Sequence, residues 1–278
     1  MIRSVRRFLR NRSALLGSVI VAVFLTAAAI GPTIAPFDPN VPDYNSLLAL
    51  PSLRHPLGTD MFGRDIMSRI LWGSRISLGI AVTGVSGSLL LGVPLGLVAG
   101  YYGGALDSIT MRVLDVLLAF PGILLAIGII ALLGPGLVNV VVAIVIYGIP
   151  IFARTTRGQV LSLKGLGYVE AARASGASDL RILAIHLLPN SVSPIIVALT
   201  LNMATAVLTA SGLSFLGLGA QPPTPEWGAM LSEARSYLTR APHAALFPGL
   251  TIFLAALGFN LMGDGLNDYL NPRIKSRQ

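Results

Sequence analysis

"EAARASGASDLRILAIHLLPN", residues 170–190, is a polar island in a chain of 278 residues that is 54% hydrophobic and only 12% charged. It holds Glu170, Asp179, Arg173, Arg181 and His186. No membrane span carries so many ionised groups, since each costs about 2.5–3.5 kcal/mol at a bilayer centre. Its regularity is also more than a connector needs. Tyr168 to Ser175 favour helix, and Gly176 is placed to end that helix in a left-handed conformation. Ser178 or Asp179 offers an oxygen to cap a new helix. In that second helix Leu180, Leu183, Ala184, Leu187 and Leu188 share one face at helical spacing. Pro189 then sits just inside the next span or breaks the chain before it. The stretch reads as two helices hinged at Gly176, with Leu188 and Pro189 closing the loop. Glu170 and Arg173 are spaced to pair on the surface of the first helix.

Charges mark the rest of the layout. A bilayer core requires about 20 mostly apolar residues per helix, and six such stretches follow from the gaps between ionisable residues. The expected spans are 13–37, 76–100, 107–133, 137–154, 191–219 and 244–264, with Gly134-Pro135-Gly136 turning the chain between the third and fourth. The basic segment 1–12 contains Arg3, Arg6, Arg7, Arg10 and Arg12, which places the N-terminus in the cytoplasm. Six crossings return the tail 265–278, with Arg273, Lys275 and Arg277, to the same side. The loop 155–190 also falls inside, and its surroundings carry Arg154, Arg157, Lys164, Arg173 and Arg181 against two acids. The outside segments 38–75 and 220–243 are balanced, with four Asp against four Arg and two Glu against two Arg. The expected fold is therefore all-α, an integral membrane protein with both termini cytoplasmic. The apolar run from Ala14 to Phe37 exceeds a typical signal-peptide core, so the first helix is expected to be retained as an anchor; cleavage near Ala27-Ala28-Ala29 is the other reading.

Reactive chemistry is sparse. Cysteine is absent, and His55, His186 and His243 form no metal-binding spacing. Lys164 and Lys275 are the only lysines, and neither ends a phosphate-binding loop. No Asp, Glu or His occupies a span centre as a proton relay would require. Arg112 and Asp115 read as structural anchors that pair with each other or with a neighbour. Gly84, Ser88, Gly92, Gly96 and Gly100 make a smooth stripe for close helix approach, within this chain or against a partner subunit. The chain reads as a polytopic scaffold without an energy source: an autonomous channel or secondary carrier, a membrane scaffold that recruits a soluble protein, or a transporter driven by another protein.

Glu170-Ala171-Ala172, three residues, Gly176, nine residues, His186, one residue and Leu188-Pro189 resemble the EAA loop of permease subunits in ATP-binding cassette (ABC) importers. Ile is usual where His186 stands, although His is frequent in the subfamily that the rest of the chain resembles. "HPLGTDMFGRDIMSRILWGSRISL" (55–78), "RVLDVLLAFPGILLAI" (112–127), "LSFLGLGAQPPTPEWGAML" (213–231) and "NLMGDGLNDYLNPR" (260–273) are similar to the second of the paired permeases in dipeptide/oligopeptide/nickel importers. The resemblance implies a type I importer fold of six helices, membrane lipid around it and no nucleic-acid partner. It implies a related permease as the other half of a heterodimer, two ATPase subunits that bind ATP and Mg, and an extracytoplasmic solute-binding protein. No cofactor is implied in this chain, which is not an enzyme. Tyr168 to Ala177 would be the coupling helix, with Tyr168, Glu170, Ala171, Ala172, Arg173, Gly176 and Ala177 meeting the ATPase. Asp60, Arg64, Asp65 and Arg69 are candidate contacts for the binding protein or partner permease, or pair among themselves. Trp227 is expected at the membrane interface as a further contact, beside an excursion stiffened by Pro222-Pro223-Thr224-Pro225. A short helix is expected over 230–238.

Overall fold

The computed structural model describes residues 12–270. The segments 1–11 and 271–278, which carry most of the charges behind the expected orientation, lie outside the described residues. Nine helices follow one another among the described residues: α1 (Arg12–Ile34), α2 (Ile66–Tyr102), α3 (Gly104–Leu118), α4 (Gly122–Leu133), α5 (Leu137–Leu163), α6 (Gly167–Ala174), α7 (Asp179–Phe215), α8 (Trp227–Ala234) and α9 (His243–Leu270). The described residues contain no strand, only an isolated bridge between Thr59 and Asp65. Five helices, α1, α2, α5, α7 and α9, are each long and apolar enough to cross a membrane. The bent pair α3 and α4 supplies a sixth crossing if taken as one span.

Where one straight helix was expected over 107–133, the chain turns by 89° between α3 and α4. Pro121 explains the break. It has no N–H to donate, and it pushes Phe120 away from helical backbone. Its own ψ of 130° is extended, and it stands as the N-cap of α4. The turn expected at 134–136 does form. Gly134 and Gly136 take φ of +89° and +145°, and Asn139 Nδ2 donates to the carbonyls of Leu133 and Gly134 at 3.0 and 2.9 Å.

Helix ends overrun the charge-defined boundaries. α2 starts ten residues before 76, α7 starts twelve before 191, and α5 runs nine past 154. Charge marks where lipid ends; it does not stop a helix that can leave the membrane still hydrogen-bonded. At 37 residues each, α2 and α7 are about 55 Å long, well beyond a hydrocarbon core of about 30 Å. Their surplus projects at opposite ends. The start of α2 supports a folded cap built from 35–65 and α8, and the start of α7 carries α6.

The core is the seam between α2 and α5. A Cβ on Gly92 would stand 2.6 Å from the Ile149 carbonyl, one on Gly96 2.3 Å from the Ala153 carbonyl, and one on Gly100 2.9 Å from Val160 Cβ. Ser88 Oγ lies 3.1–3.2 Å from the carbonyls of Val145 and Ile144. Of the two readings of this stripe, packing within the chain is the one observed. α1 packs antiparallel on α9, where a Cβ on Gly17 would meet the Met262 backbone and one on Gly265 would meet Ala14. Residues 12 and 270 consequently lie at the end of the bundle that carries α6.

Candidate functional site: an exposed helix tethered to two spans

α6 is eight residues long, and one of its side chains is buried: Val169, 0% exposed. Tyr168, Glu170, Ala171, Arg173 and Ala174 face outward, and Ala172 is half-buried. The small alanines leave a low surface on which a groove of another protein can close. Gly176 ends the helix as expected. Its φ is +79°, its N–H donates to the Arg173 carbonyl at 3.0 Å, and the Ala177 N–H donates to the Ala172 carbonyl at 3.1 Å. This pair of bonds is the Schellman arrangement that satisfies orphaned helix-end carbonyls. Ser178 then caps α7, its Oγ accepting from the Arg181 N–H at 3.4 Å.

Asp179 is freed by that cap for another task. Tyr101, at the end of α2 and 8% exposed, donates its hydroxyl to Asp179 Oδ1 at 2.6 Å. Arg173 Nη2 donates to the same hydroxyl oxygen at 3.3 Å, and its guanidinium stands 5.6 Å from the tyrosine ring. The bond to Tyr101 pushes the Arg173 pKa above its ordinary value. Thus α6, α2 and α7 meet at one tyrosine, which the sequence reading had not singled out. The expected Glu170–Arg173 pair is absent, because Arg173 turns to Tyr101. Glu170 is exposed and makes no ion pair within 4 Å among the described residues. Three more contacts brace this end. Arg157 holds Asp107 of α3 at 2.5 and 2.6 Å, Lys164 Nζ donates to the Gly100 carbonyl at 2.8 Å, and Arg154 pairs with Asp115. Asp115 therefore pairs with a neighbouring helix and not with Arg112.

The face expected at the start of α7 also differs. Ile182, Leu183 and Leu187 are buried, whereas Leu180 is 75% exposed and Ala184 points outward. Residues Ile182–Leu187 form a π-helical turn. Pro189 offers no N–H, and its ring crowds the carbonyl four residues back; the wider turn ahead of it relieves that crowding. Each wide turn rotates the following residues out of 3.6-residue phase. His186 lies half-buried in this turn, its ring 6.3 Å from that of Tyr168.

At the opposite end, Asp60, Arg64, Asp65 and Arg69 are buried within the chain and pair there. They are 9, 3, 2 and 0% exposed. Arg64 Nε donates to Asp60 at 2.7 Å and Arg64 Nη2 to Glu233 at 2.6 Å. Arg69 reaches Glu233 at 3.4 Å and the Pro39 carbonyl at 2.9 Å. Asp65 caps α2 through the Ser68 N–H at 2.7 Å and holds His55 Nδ1 at 3.0 Å. Two buried cations face two acids, so the network is neutral and draws 38–65 onto α8. Trp227 is likewise 0% exposed, its Nε1 donating to the Ile70 carbonyl at 3.2 Å. α8 spans Trp227–Ala234 and a 3₁₀ turn continues to Tyr237, close to the short helix expected over 230–238. Glu226, missed in the sequence reading, is buried at its N-cap. It accepts from the Ala229 N–H and from Ser77 Oγ, both at 2.9 Å. Burial raises its pKa, against those hydrogen bonds.

The described residues thus form a helical bundle of apolar spans with one polar helix standing off its end. The chain belongs to the family of binding-protein-dependent transport system inner membrane components, matched over residues 92–276, and residues 1–51 match the N-terminal TM domain of oligopeptide transport permease C. It is a multi-pass inner-membrane permease subunit of an ABC importer, in which the ATPase is a separate subunit. Among individual relatives it is 53% identical over 272 residues to the glutathione transport system permease protein GsiD of Pectobacterium atrosepticum, covering 98% of this chain and 90% of that one. The GsiD protein of Escherichia coli O157:H7 is 52% identical over 271 residues, 97% and 89% of the two chains. The fold is that of an inward-facing MetNI methionine ABC transporter chain (TM-score 0.60, 20% identity, 74% of this chain and 98% of that one). It is shared with a chain of an amino acid ABC transporter (TM-score 0.55, 16% identity, 70% and 91%).

Proposed function

We propose that this chain forms half of the translocation pathway of an ATP-driven importer and that α6 is its coupling helix. The observation that carries this reading is the mounting of α6. One buried anchor, Val169, and one tyrosine bridge fix it to α2 and α7, while its outer face stays free. A partner that moves α6 thereby moves two long spans together, as a rigid lever on a bistable bundle requires.

In this reading the α6 end is cytoplasmic, with both termini, and the cap faces outward. Tyr168, Glu170, Ala171, Ala172, Arg173, Gly176 and Ala177 belong to the ATPase-facing segment, and Leu188 and Pro189 close the loop behind it. A related permease completes the pathway, two ATPase subunits hold ATP and Mg, and an extracytoplasmic binding protein delivers the solute. The glutathione-transport names of the relatives support a glutathione-like or short-peptide solute. Glu170→Arg places a cation on the free face and breaks no ion pair within 4 Å among the described residues, although it ends an electrostatic attraction to Arg173. Expected is an assembled complex whose ATP hydrolysis no longer drives uptake of labelled glutathione or dipeptide in proteoliposomes. Wild-type coupling in that variant refutes the assignment of Glu170.

A further inference from the structure

Outside the spans, several large apolar side chains of one cap segment are exposed. Leu53 is 105% exposed, Tyr44 73%, Leu50 68% and Leu47 50%. Pro51, Ser52 and Arg54 beside them are exposed as well. Apolar surface gathered in this way marks a contact with protein or with membrane.

Its position favours membrane. The outward-facing apolar side chains of α1 run from Leu15 to Ile34, about 29 Å at 1.5 Å per residue. That equals a hydrocarbon core, so Ile34 marks the edge of the hydrocarbon on this flank. Three residues later Phe37 stacks on His55, ring centroids 4.7 Å apart, and the Phe37 N–H donates to Ser68 Oγ at 3.1 Å. His55 follows directly on the exposed turn. The turn 50–54 is thus pinned beside the point where α1 leaves the lipid. Arg54 is exposed and has no ion pair within 4 Å among the described residues. A cation next to projecting leucines matches a phospholipid interface, where side chains of both kinds are retained.

We propose that the turn 50–54 is a membrane anchor of the cap: Leu50 and Leu53 enter the leaflet at the cap end, and Arg54 meets lipid phosphates. The chain has no cysteine, so each introduced cysteine is its single labelling site, with the permease labelled before it is assembled with its partners. Leu50→Cys and Leu53→Cys would carry a nitroxide in the intact transporter in liposomes, with Arg240→Cys, exposed after α8, as the aqueous reference. Uptake by the labelled complexes verifies assembly. Expected is more frequent collision with oxygen than with a water-soluble nickel chelate at Leu50 and Leu53, and the reverse at Arg240. The anchor is overturned if the chelate reaches Leu50 and Leu53 as it reaches Arg240, even where added binding protein later shields them. Protection from both probes in the complex alone also overturns it, and assigns the surface to a protein subunit.

Discussion

A Cβ on Gly176 would touch nothing, yet its φ of +79° is the conformation that L-residues adopt poorly. Gly176→Ala should therefore cost roughly 1–2 kcal/mol locally. Amide exchange should report it as faster opening of 167–177, with the spans unaffected. Glu226 poses a different single-residue problem. Its folded pKa is raised above the ordinary value of 4.5 by burial. A carboxyl shifted upward is stabilising while protonated, so its contribution is complete below about pH 4.5 and disappears as pH rises through the raised value. Glu226→Gln keeps an oxygen for the Ala229 N–H and removes the titration. Thermal unfolding should show the variant gaining on the wild type as pH climbs from 4.5, and a constant difference across that range would contradict the assignment.

Between elements, Gly92, Gly96 and Gly100 at the seam of α2 and α5 leave no room for a side chain. Gly92→Leu would drive a Cβ against backbone at 2.6 Å, whereas Gly79 on the same helix has nothing within 4 Å. Gly92→Leu is expected to destabilise by about 1–3 kcal/mol, as overpacking does. Gly79→Leu is expected near neutral, and melting temperatures in detergent compare the two. The glycine stripe announced such a seam at four-residue spacing, but either a neighbouring span or another subunit satisfied it. The break at Pro121 shows the converse. Its proline was plain in the sequence, yet the stretch 107–133 around it, uncharged after Asp115, read as one span. Charge and length gauge the bilayer; they do not reveal where a helix bends.

Over the whole molecule, force applied at α6 has a short path into the bundle through Tyr101. Tyr101→Phe removes the hydroxyl that Asp179 accepts and that Arg173 approaches, while retaining the ring beneath Arg173. The expected outcome is an intact, assembled permease with fewer solutes moved per ATP hydrolysed, measured as the ratio of uptake to hydrolysis in proteoliposomes. An unchanged ratio would mean that the path runs elsewhere, through Val169 or the π-helical turn. Unlike Glu170→Arg, this variant leaves the outer face of α6 untouched, so loss of docking and loss of transmission separate.

Apolar runs, charge gaps, Gly176 and Ser178 were sufficient in sequence for the helical membrane class and for the hinge between α6 and α7. These follow from local rules: desolvation of charge, the conformational freedom of glycine and hydrogen bonding of helix ends. Partner choice was not local. Arg173 lies three residues from Glu170 but bonds Tyr101, 72 positions away. Arg64 lies four from Asp60 and also seizes Glu233, 169 positions away. Spacing permitted surface pairs and contacts with other proteins equally well. Only tertiary packing, by bringing distant helices together and excluding water from the cap, determined that Arg64 would be buried and Arg173 tied to Tyr101 while Glu170 kept no ion pair within 4 Å among the described residues.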